Sequence, residues 1–208
     1  MLYRKNSKLK SFVSASGINF YGTQTTEKIY TENDLPGNDF LSEVVILWEK
    51  AADSFLEQNL TERVVKIRTA VVLSEKEGAL KKMIPPIQYY IGSPLGSGKQ
   101  YMPWIHINDI CSIYELALKN SSIHGSYNAV SPQHVTNREL TRQIAKVLKK
   151  PLFMPNVPAF MLKLIFGELA NAILEGSRAS SEKIRKTGFQ FEFADLNKAL
   201  DNLLKKEI

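Results

Sequence analysis

Hydroxyl and phenol side chains are concentrated at residues 10–22, which read KSFVSASGINFYG. The stretch opens with a short apolar run, continues with small hydroxyl residues and ends in an aromatic turn marked by glycines. This order is typical of a buried parallel strand whose carboxyl end borders a site, because open α/β sheets bind ligands there. A buried strand followed by a tight turn is the simpler interpretation of the same residues.

A second glycine-rich segment, residues 92–99, does not meet the requirements of a phosphate-binding loop. Ser93 stands where a P-loop needs its first glycine, Gln100 replaces the final Ser or Thr, and a strand is predicted to follow instead of a helix. Tyr101 likewise occupies the third glycine position of a dinucleotide fingerprint. We therefore expect a flexible loop on the substrate side, with Lys99 as a candidate contact for an anion.

The residues that could ligate a metal do not indicate a metal site. The three histidines, at positions 106, 124 and 134, have no metal-ligand spacing and no accompanying cluster of carboxylates. Cys111 is the only cysteine, which argues against a disulfide framework and a cysteine-rich metal site. His106 is interpreted as a structural hydrogen-bonding residue.

One charged residue lies inside a strongly apolar segment, since Arg68 interrupts a β-branched run between residues 63 and 73. A buried guanidinium needs a partner or a ligand, which makes this arginine a candidate site residue. Glu43 and Glu49 are interpreted as an acid on the surface of a helix and a packing partner near Trp48.

The composition is ordinary for a folded protein, because 44% of the 208 residues are hydrophobic and 23% are charged. The net charge of +6 includes short basic pairs near predicted helix ends, where cations meet the negative pole of the helix dipole. Nucleic-acid binding is therefore not expected.

The first residues carry no targeting signal, and the most apolar segment, residues 158–166, is too short to span a membrane. We expect a cytoplasmic protein.

Hydrophobic periodicity predicts a βαβ unit in the first third of the chain. Its strands lie at residues 8–16 and 63–73, and between them residues 40–59 form a helix with a broad apolar stripe, capped by Asn38 or Asp39. Further predicted elements are a helix within 76–91 that ends at Pro85-Pro86, strands at 100–107 and 125–130, and helices at 108–119, 136–149, 158–167, 180–187 and 195–205. Asn108 or Asp109 is the expected cap of the helix at 108–119, and Thr136 with Glu139 forms a capping box.

These elements predict an α/β protein with the carboxyl-terminal part of a doubly wound, Rossmann-like parallel sheet and a smaller, mostly helical substrate lobe. Residues 1–75 and 108–130 are assigned to the sheet domain, and residues 76–107 and 131–208 to the smaller domain. Only about three strands are available, fewer than a dinucleotide-binding sheet needs. We therefore expect a truncated chain without the first half of that sheet, in which residues 1–7 are the last turn of a helix.

Several stretches together resemble the extended short-chain dehydrogenase/reductase superfamily, in its NAD-dependent epimerase/dehydratase group. Within that group the chain is similar to a poorly characterised epimerase-like family with an NADP-binding Rossmann domain. The stretches are SASGINFYG at 14–22, DFLSEVVILWE at 39–49, RTAVVL at 68–73, GSPLGSG at 92–98 with WIHIND at 104–109, and residues 128–132, 155–167 and 187–191. The resemblance covers essentially the whole chain but lacks the family's glycine-rich pyrophosphate loop.

The resemblance implies that Ser16 occupies the position of the superfamily's catalytic Ser or Thr, which hydrogen-bonds the reacting oxygen. The superfamily's Tyr-x-x-x-Lys pair would fall at Leu41 and Val45. Neither residue can transfer a proton, so the standard acid/base mechanism cannot operate unchanged and the enzyme assignment stays open. Tyr21 is the candidate substitute for the missing phenol, with packing of the turn or lining of the pocket as the alternative.

The resemblance also implies a cofactor, NADP, with NAD as the alternative because the residues that read the ribose 2′ position would lie in the missing part. The expected cofactor contacts are Ser14, Ala15, Ser16, Arg68, Thr69 and Val71, and the expected substrate contacts are Lys99 and Trp104. No metal is expected. The partners considered are a small-molecule substrate and a second copy of the chain.

Three functions are compatible with this resemblance. The first is an NAD(P)-dependent epimerase or oxidoreductase-like protein that transfers a hydride at an oxygen-bearing carbon of a nucleotide sugar or a small carbonyl compound. The second is an NADP-sensing or partner-binding protein without turnover, which Leu41 and Val45 favour. The third is an inactive fragment, which would expose the apolar face of an incomplete sheet.

Overall fold

A sheet of three parallel strands forms the centre of the protein in the computed structural model, which describes residues 8–205. With elements numbered in chain order, the strands are β1 (Phe12–Gly17), β3 (Val64–Thr69) and β6 (Gly125–Ala129), arranged β1-β3-β6. Helix α1 (Phe40–Glu57) connects β1 to β3, and helix α3 (Ile107–Lys119) precedes β6. The predicted α/β class with a parallel sheet is confirmed. The helix expected at residues 1–7 lies outside the described residues.

The two faces of this sheet differ in chemistry because side chains alternate along each strand. One face carries apolar residues that pack with α3: Val13, Val65, Ile67, Tyr127 and Ala129. The other face points toward α1 and carries polar residues in two rows, Ser14–Lys66–Ser126 and Ser16–Arg68–Asn128. A polar face is unusual for a parallel sheet covered by helices, and each of these groups needs a partner.

The strand predicted at residues 63–73 is wrong as a single element, since it divides at Ala70. Beyond that residue, strand β4 (Val71–Leu73) leaves the central sheet and pairs in parallel with β5 (Trp104–His106). The Ala70 N–H still donates to the Ala129 carbonyl at 3.1 Å, whereas the Val71 N–H donates to the Pro103 carbonyl at 3.0 Å. This change of partner separates the strands and creates space at the carboxyl edge of the sheet.

The remaining elements surround this core. They are β2 (Ile29–Tyr30), α2 (Ala79–Gln88), α4 (Asn137–Val147), α5 (Ala159–Phe166), α6 (Asn171–Leu174), β7 (Arg178–Ala179), α7 (Glu182–Lys186), α8 (Leu196–Leu204) and 3₁₀ turns at Ile18–Tyr21 and Gly167–Ala170. A second buried cluster, which includes Leu73, Leu80, Trp104, Leu140 and Leu200, holds α2, α4, α8 and β5 together. Among residues 8–205, no helix is long and apolar enough to cross a membrane. The domain boundaries given above stay a prediction.

Several helix ends follow their local sequence signals. Asp39 caps α1 by accepting a hydrogen bond from the Ser42 N–H, and Asp195 caps α8 in the same way from Lys198. Thr136 and Glu139 form the predicted capping box of α4. The predicted caps of α1 and α4 are confirmed because a cap depends on residues within one turn of each other.

Two other predicted helix ends are wrong. Helix α2 continues through Pro85-Pro86 to Gln88, although each proline lacks the N–H that an interior helical residue donates. The Pro85 and Pro86 carbonyls still accept bonds from later residues. The cap of α3 is His106, whose Nδ1 accepts the Asn108 N–H at 3.1 Å. His106 is buried and stacks on Phe193 at 3.8 Å, which confirms its structural role.

A substitution at Gly176 tests how closely this residue packs against the backbone of Tyr101. A Cβ at this position would lie 1.9 Å from the Tyr101 carbonyl oxygen, whereas a Cβ at Gly17 would lie 3.7 Å from its nearest contact, Val45 Cγ2. We expect Gly176→Ala to lower the free energy of unfolding by about 3 kcal/mol through forced overpacking. Gly17→Ala, in extended backbone, is the control and should change it by less than about 1 kcal/mol. Urea unfolding measures both, and equal values for the two variants would contradict the close approach.

Candidate active-site cleft

Two candidate residues, Ser16 and Arg68, and the unpredicted Asn128 lie side by side across the carboxyl edge of the sheet. The strand register places Ser16 beside Arg68 and Arg68 beside Asn128. All three side chains are at least 95% buried, on the polar face that α1 covers. The sheet therefore brings together residues that are far apart in sequence, as open α/β sheets do at this edge.

The partner of Arg68 is Glu49 on α1. Arg68 Nε donates to Glu49 Oε1 at 2.7 Å, and Arg68 Nη2 donates to Glu49 Oε2 at 2.9 Å, which makes the ion pair bidentate. The Ser16 hydroxyl donates to the same Oε1 at 2.6 Å. Sequence analysis missed this role of Glu49, although its spacing from the buried residues Val45 and Ala52 places it on the inward face of α1.

Tyr21 closes the network from the turn after β1. Its hydroxyl donates to Asn128 Oδ1 at 2.8 Å and accepts from Arg68 Nη1 at 2.9 Å. The Phe20 ring lies 3.4 Å from the Arg68 guanidinium carbon, which adds a cation–π contact. Glu49, Ser16, Arg68, Tyr21 and Asn128 thus form one connected set, called here the sheet network.

The electrostatics of the sheet network favour fixed protonation states. Burial alone would raise the pKa of Glu49, but the hydrogen bonds from Arg68 and Ser16 and the positive charge of Arg68 hold it below its ordinary value. Burial raises the pKa of Tyr21 to about 12, and the nearby Arg68 offsets only part of that effect. At neutral pH the network therefore holds a carboxylate, a guanidinium and a neutral phenol.

This geometry assigns a positioning role to the network. The Ser16 and Tyr21 hydroxyls both donate to partners within the network, so each is already engaged in the structure described here. A general acid/base needs a pKa close to the working pH and a proton that reaches the reacting atom. The catalytic roles predicted for Ser16 and Tyr21 remain predictions, and the phenol is held far from such a pKa.

Two adjoining cavities form a cleft where β3 leaves the central sheet. The smaller cavity has a volume of 180 Å³, and its lining includes Asn19, Thr69, Val71, Tyr101 and Glu175. The larger cavity has a volume of 390 Å³ and is lined by Thr23, Asp39, Phe40, Leu41, Phe166, Asn171 and Ala172. Thr23 and Ala172 line both cavities, so we treat them as one cleft at the carboxyl edge of the sheet.

The positions that correspond to the superfamily's Tyr-x-x-x-Lys pair both lie beside the end of β1. Leu41 lines the larger cavity. Val45 is buried, with its Cγ2 within 3.7 Å of the position that a Cβ on Gly17 would take. The site therefore has hydrocarbon where the superfamily pattern has a phenol and an ammonium group.

The predicted cofactor contacts separate into two groups. Thr69 and Val71 line the smaller cavity, together with Ala70 between them. Ser14, Ser16 and Arg68 instead lie on the polar face toward α1, and Ala15 is exposed on β1. Only the first group borders the cleft.

The two predicted substrate contacts lie elsewhere. Trp104 is fully buried, and its indole Nε1 donates to the Gln133 carbonyl at 3.0 Å, so it presents no surface to a substrate. The expected contact of Trp104 with a substrate is therefore not supported by its position. Lys99 is exposed at the end of a loop that hydrogen bonds hold in place, including Leu95 N–H to Asn137 Oδ1 at 2.8 Å.

The cleft contains polar residues that sequence reasoning did not select. The Glu175 carboxylate accepts the Thr25 N–H at 3.1 Å, and the Tyr101 hydroxyl donates to Glu27. Within residues 8–205, no group of three or more His, Cys, Asp or Glu side chains is arranged to hold a metal ion. Glu175 follows a helix of only four residues, so no local pattern pointed to its position.

Comparisons with known proteins agree with this architecture. A family model described as a domain of unknown function, DUF1731, matches residues 157–203. The chloroplastic SDR39U1 homolog of Arabidopsis thaliana, an epimerase family protein, is 38% identical over 193 residues, which cover 93% of this chain and 54% of that protein. The epimerase family protein YfhF of Bacillus subtilis is 35% identical over 205 residues, which cover 98% of this chain and 66% of that protein. The chain thus spans between about half and two-thirds of the length of these relatives.

A solved structure is similar over nearly the whole chain. The crystal structure of the human epimerase family protein SDR39U1 with NADPH matches with a TM-score of 0.89 at 32% identity. The match covers 99% of this chain and 68% of that chain.

Replacing Glu49 tests whether the ion pair supports the fold. We expect Glu49→Gln to lower the free energy of unfolding by about 3 kcal/mol, because it leaves the buried Arg68 charge uncompensated. Asp53→Asn is the control, since Asp53 pairs with Lys66 at 2.7 Å but is 43% exposed; that variant should lose less than about 1 kcal/mol. Chemical denaturation at neutral pH measures both. If both variants lowered the free energy of unfolding by the same small amount, the Glu49–Arg68 pair would not stabilise the fold as a buried ion pair.

The pH dependence of stability tests the state of Tyr21. Its pKa of about 12 lies above the ordinary value of 10.0, so the stability from the neutral phenol is fully present below pH 10 and is lost as the pH rises toward 12. Burial also raises the pKa of Tyr114 and Tyr127, so we expect alkaline spectroscopic titration to show several tyrosines that ionise late, of which Tyr21→Phe removes the one near pH 12. Tyr89→Phe, at a tyrosine that is 75% exposed, should leave that step in place. An unchanged step near pH 12 in Tyr21→Phe would disprove the assignment.

Proposed function

Because the chain belongs to the epimerase family that includes human SDR39U1, within the extended short-chain dehydrogenase/reductase superfamily, we propose that it forms the nicotinamide-side and substrate-side part of an NADP(H)-dependent epimerase-like protein. The observation that carries this proposal is the cleft at the carboxyl edge of β1 and β3, beside the point where the chain leaves the sheet at Ala70. Ligands of open α/β sheets occupy this edge.

The residues at this edge fit a flat ring such as nicotinamide. The segment from Thr69 to Val71 lines the smaller cavity with residues of small or moderate size, and Asn19 and Gly22 line the same cavity. Crystallisation of the human relative with NADPH supports this cofactor over NAD. When bound, the cofactor would supply hydride transfer at an oxygen-bearing carbon of the substrate.

The protein's own contribution to such a reaction is positioning. The bidentate contact of Arg68 with Glu49 joins β3 to α1, and the Ser16 hydroxyl joins β1 to the same carboxylate. Tyr21 links Arg68 to Asn128, which holds the turn that forms one wall of the cleft. Preorganised walls of this kind lower the cost of orienting two reactants.

A second function, NADP-dependent sensing without turnover, is favoured by a specific observation. Leu41 and Val45 place hydrocarbon at the two positions that would hold the usual acid/base pair, and the Tyr21 phenol is engaged in the sheet network. Such a protein would bind NADPH without oxidising it in the presence of carbonyl compounds or nucleotide sugars. Steady oxidation of NADPH by either class of compound would exclude this alternative.

Calorimetric titration with NADPH tests the proposal on this chain, alone and joined to the segment of the Bacillus subtilis relative that it does not match. We expect saturable binding that Ala172→Trp weakens at least about tenfold, because an indole would fill the space shared by both cavities. Ala51→Trp, at an exposed alanine on α1, is the matched control and should bind normally. Failure of both forms to bind NADPH would reject the proposed function.

A further inference from the structure

The larger cavity of the cleft has walls made mainly of hydrocarbon. Phe40 and Leu41 at the start of α1 form one side, and Phe166 at the end of α5 with Ala172 forms the other. Its volume of 390 Å³ lies within the usual range for small-molecule sites. The cavity is therefore large enough for a compact ligand and offers it mostly apolar contact.

Asp39 is the one charged residue among the described side chains that line the larger cavity, and it is already engaged. Asp39 Oδ2 accepts the Thr23 N–H at 2.7 Å and the Thr23 hydroxyl at 3.0 Å, and Oδ1 accepts the Ser42 N–H at 2.9 Å. Although burial acts to raise the pKa of Asp39, these hydrogen bonds lower it below its ordinary value. The carboxylate holds the start of α1 and adds negative charge that would repel an anion.

The two aromatic walls remain accessible to a ligand. Phe40 is 70% exposed and Phe166 is 46% exposed. Leu162 is the one buried residue of α5, while Phe160, Leu164 and Ile165 on the same helix are each more than two-thirds exposed. An apolar molecule between Phe40 and Phe166 would remove hydrocarbon from water, which is the main source of affinity for such a ligand.

The adjoining smaller cavity supplies the polar end of the cleft. Its lining includes Asn19, Thr69 and Ser177, which can hydrogen-bond an oxygen atom. Glu175 is the one charged residue among the described side chains of that lining, so both of the charged residues described in the cleft are acidic. The nearby Arg178 guanidinium is paired with Glu27 at 2.8 Å. A diphosphate would meet two carboxylates here and, among the residues that line the described cleft, no cation.

We propose that this cleft takes an uncharged, predominantly apolar ketone or alcohol rather than a nucleotide sugar. Its hydrocarbon part would lie between Phe40 and Phe166, and its oxygen would point to the junction with the smaller cavity, in which the nicotinamide ring is proposed to bind. The proposal rests on the proposed function, because it names the substrate class of the same site. The resemblance left open a nucleotide sugar and a small carbonyl compound as substrate, and the proposal selects the second class.

Binding measurements with benzylacetone and UDP-glucose test this choice without any cofactor. We expect benzylacetone to bind the 208-residue chain and UDP-glucose not to bind at the same concentrations. Phe166→Ser should weaken benzylacetone binding at least about tenfold through the loss of one aromatic wall. Leu164→Ser is the matched control, because Leu164 lies on the same helix, is 85% exposed and does not line the cavity. Ala172→Trp should also abolish binding, by filling the cleft.

Three results would overturn the proposal: tighter binding of UDP-glucose than of benzylacetone, equal weakening by Phe166→Ser and Leu164→Ser, or a dimer in sedimentation experiments that Phe166→Ser dissociates. The last result would show that a second copy of the chain covers these walls. Absence of NADPH binding together with normal benzylacetone binding would reject the proposed function and leave this site in place. Normal NADPH binding together with absence of benzylacetone binding would reject only the proposed substrate class.

Discussion

A guanidinium buried in the polar face of a parallel sheet is the constraint on which the rest of the site depends. Arg68 is 4% exposed, and removing such a charge from water costs several kcal/mol unless close partners compensate for it. Glu49 provides the opposite charge, and Tyr21 and Phe20 cover the remaining sides. Ser16 and Asn128 complete the set because they occupy the same row of the sheet. The buried hydroxyl of Ser16 on β1 is therefore explained by the demands of this ion pair, whereas the Ser14 hydroxyl donates to the Ala15 carbonyl.

The sheet network also explains why the cleft has a defined shape. It joins β1, α1, β3 and β6, and the turn after β1 is held through Tyr21. The chain then leaves the sheet at Ala70 to pair with β5, which separates the strands directly beside these fixed walls. The sheet network thus lies next to a cleft whose larger part is apolar, and the network and the cleft are formed by different side chains. In this account the residues of the sheet network hold the strands and the turn in place, whereas the less polar residues that line the cleft contact the ligand.

Local features of the fold could be predicted from the sequence. Helix α1, its cap Asp39 and the capping box of α4 depend on residues within one or two turns of each other. The structural role of His106 was also recognised, although its position as the cap of α3 was not. Hydrophobic periodicity predicted the order of the βα units, and the family resemblance added the assignment of Leu41 and Val45 to the positions of the acid/base pair.

Nonlocal pairings could not be predicted in the same way. The need of Arg68 for a partner was visible, but Glu49 lies 19 residues away on another element and was interpreted as a packing partner near Trp48. The division of β3 from β4 depends on hydrogen bonds from Ala70 and Val71 to strands that come much later in the chain. Trp104 was expected at the substrate because of the family resemblance, whereas its strand is buried at all three positions. In each case a distant segment decides the environment of the residue.

The most direct test of this account is a double-mutant cycle between Glu49 and Arg68, using Glu49→Leu, Arg68→Met and the combined variant in urea unfolding experiments. If the ion pair is the structural centre of the site, each single variant leaves one buried charge without its partner and the double variant removes both charges. We predict a coupling free energy of about 2 kcal/mol or more. Additive effects, with a coupling below about 0.5 kcal/mol, would show that the two residues act independently and would contradict the central claim.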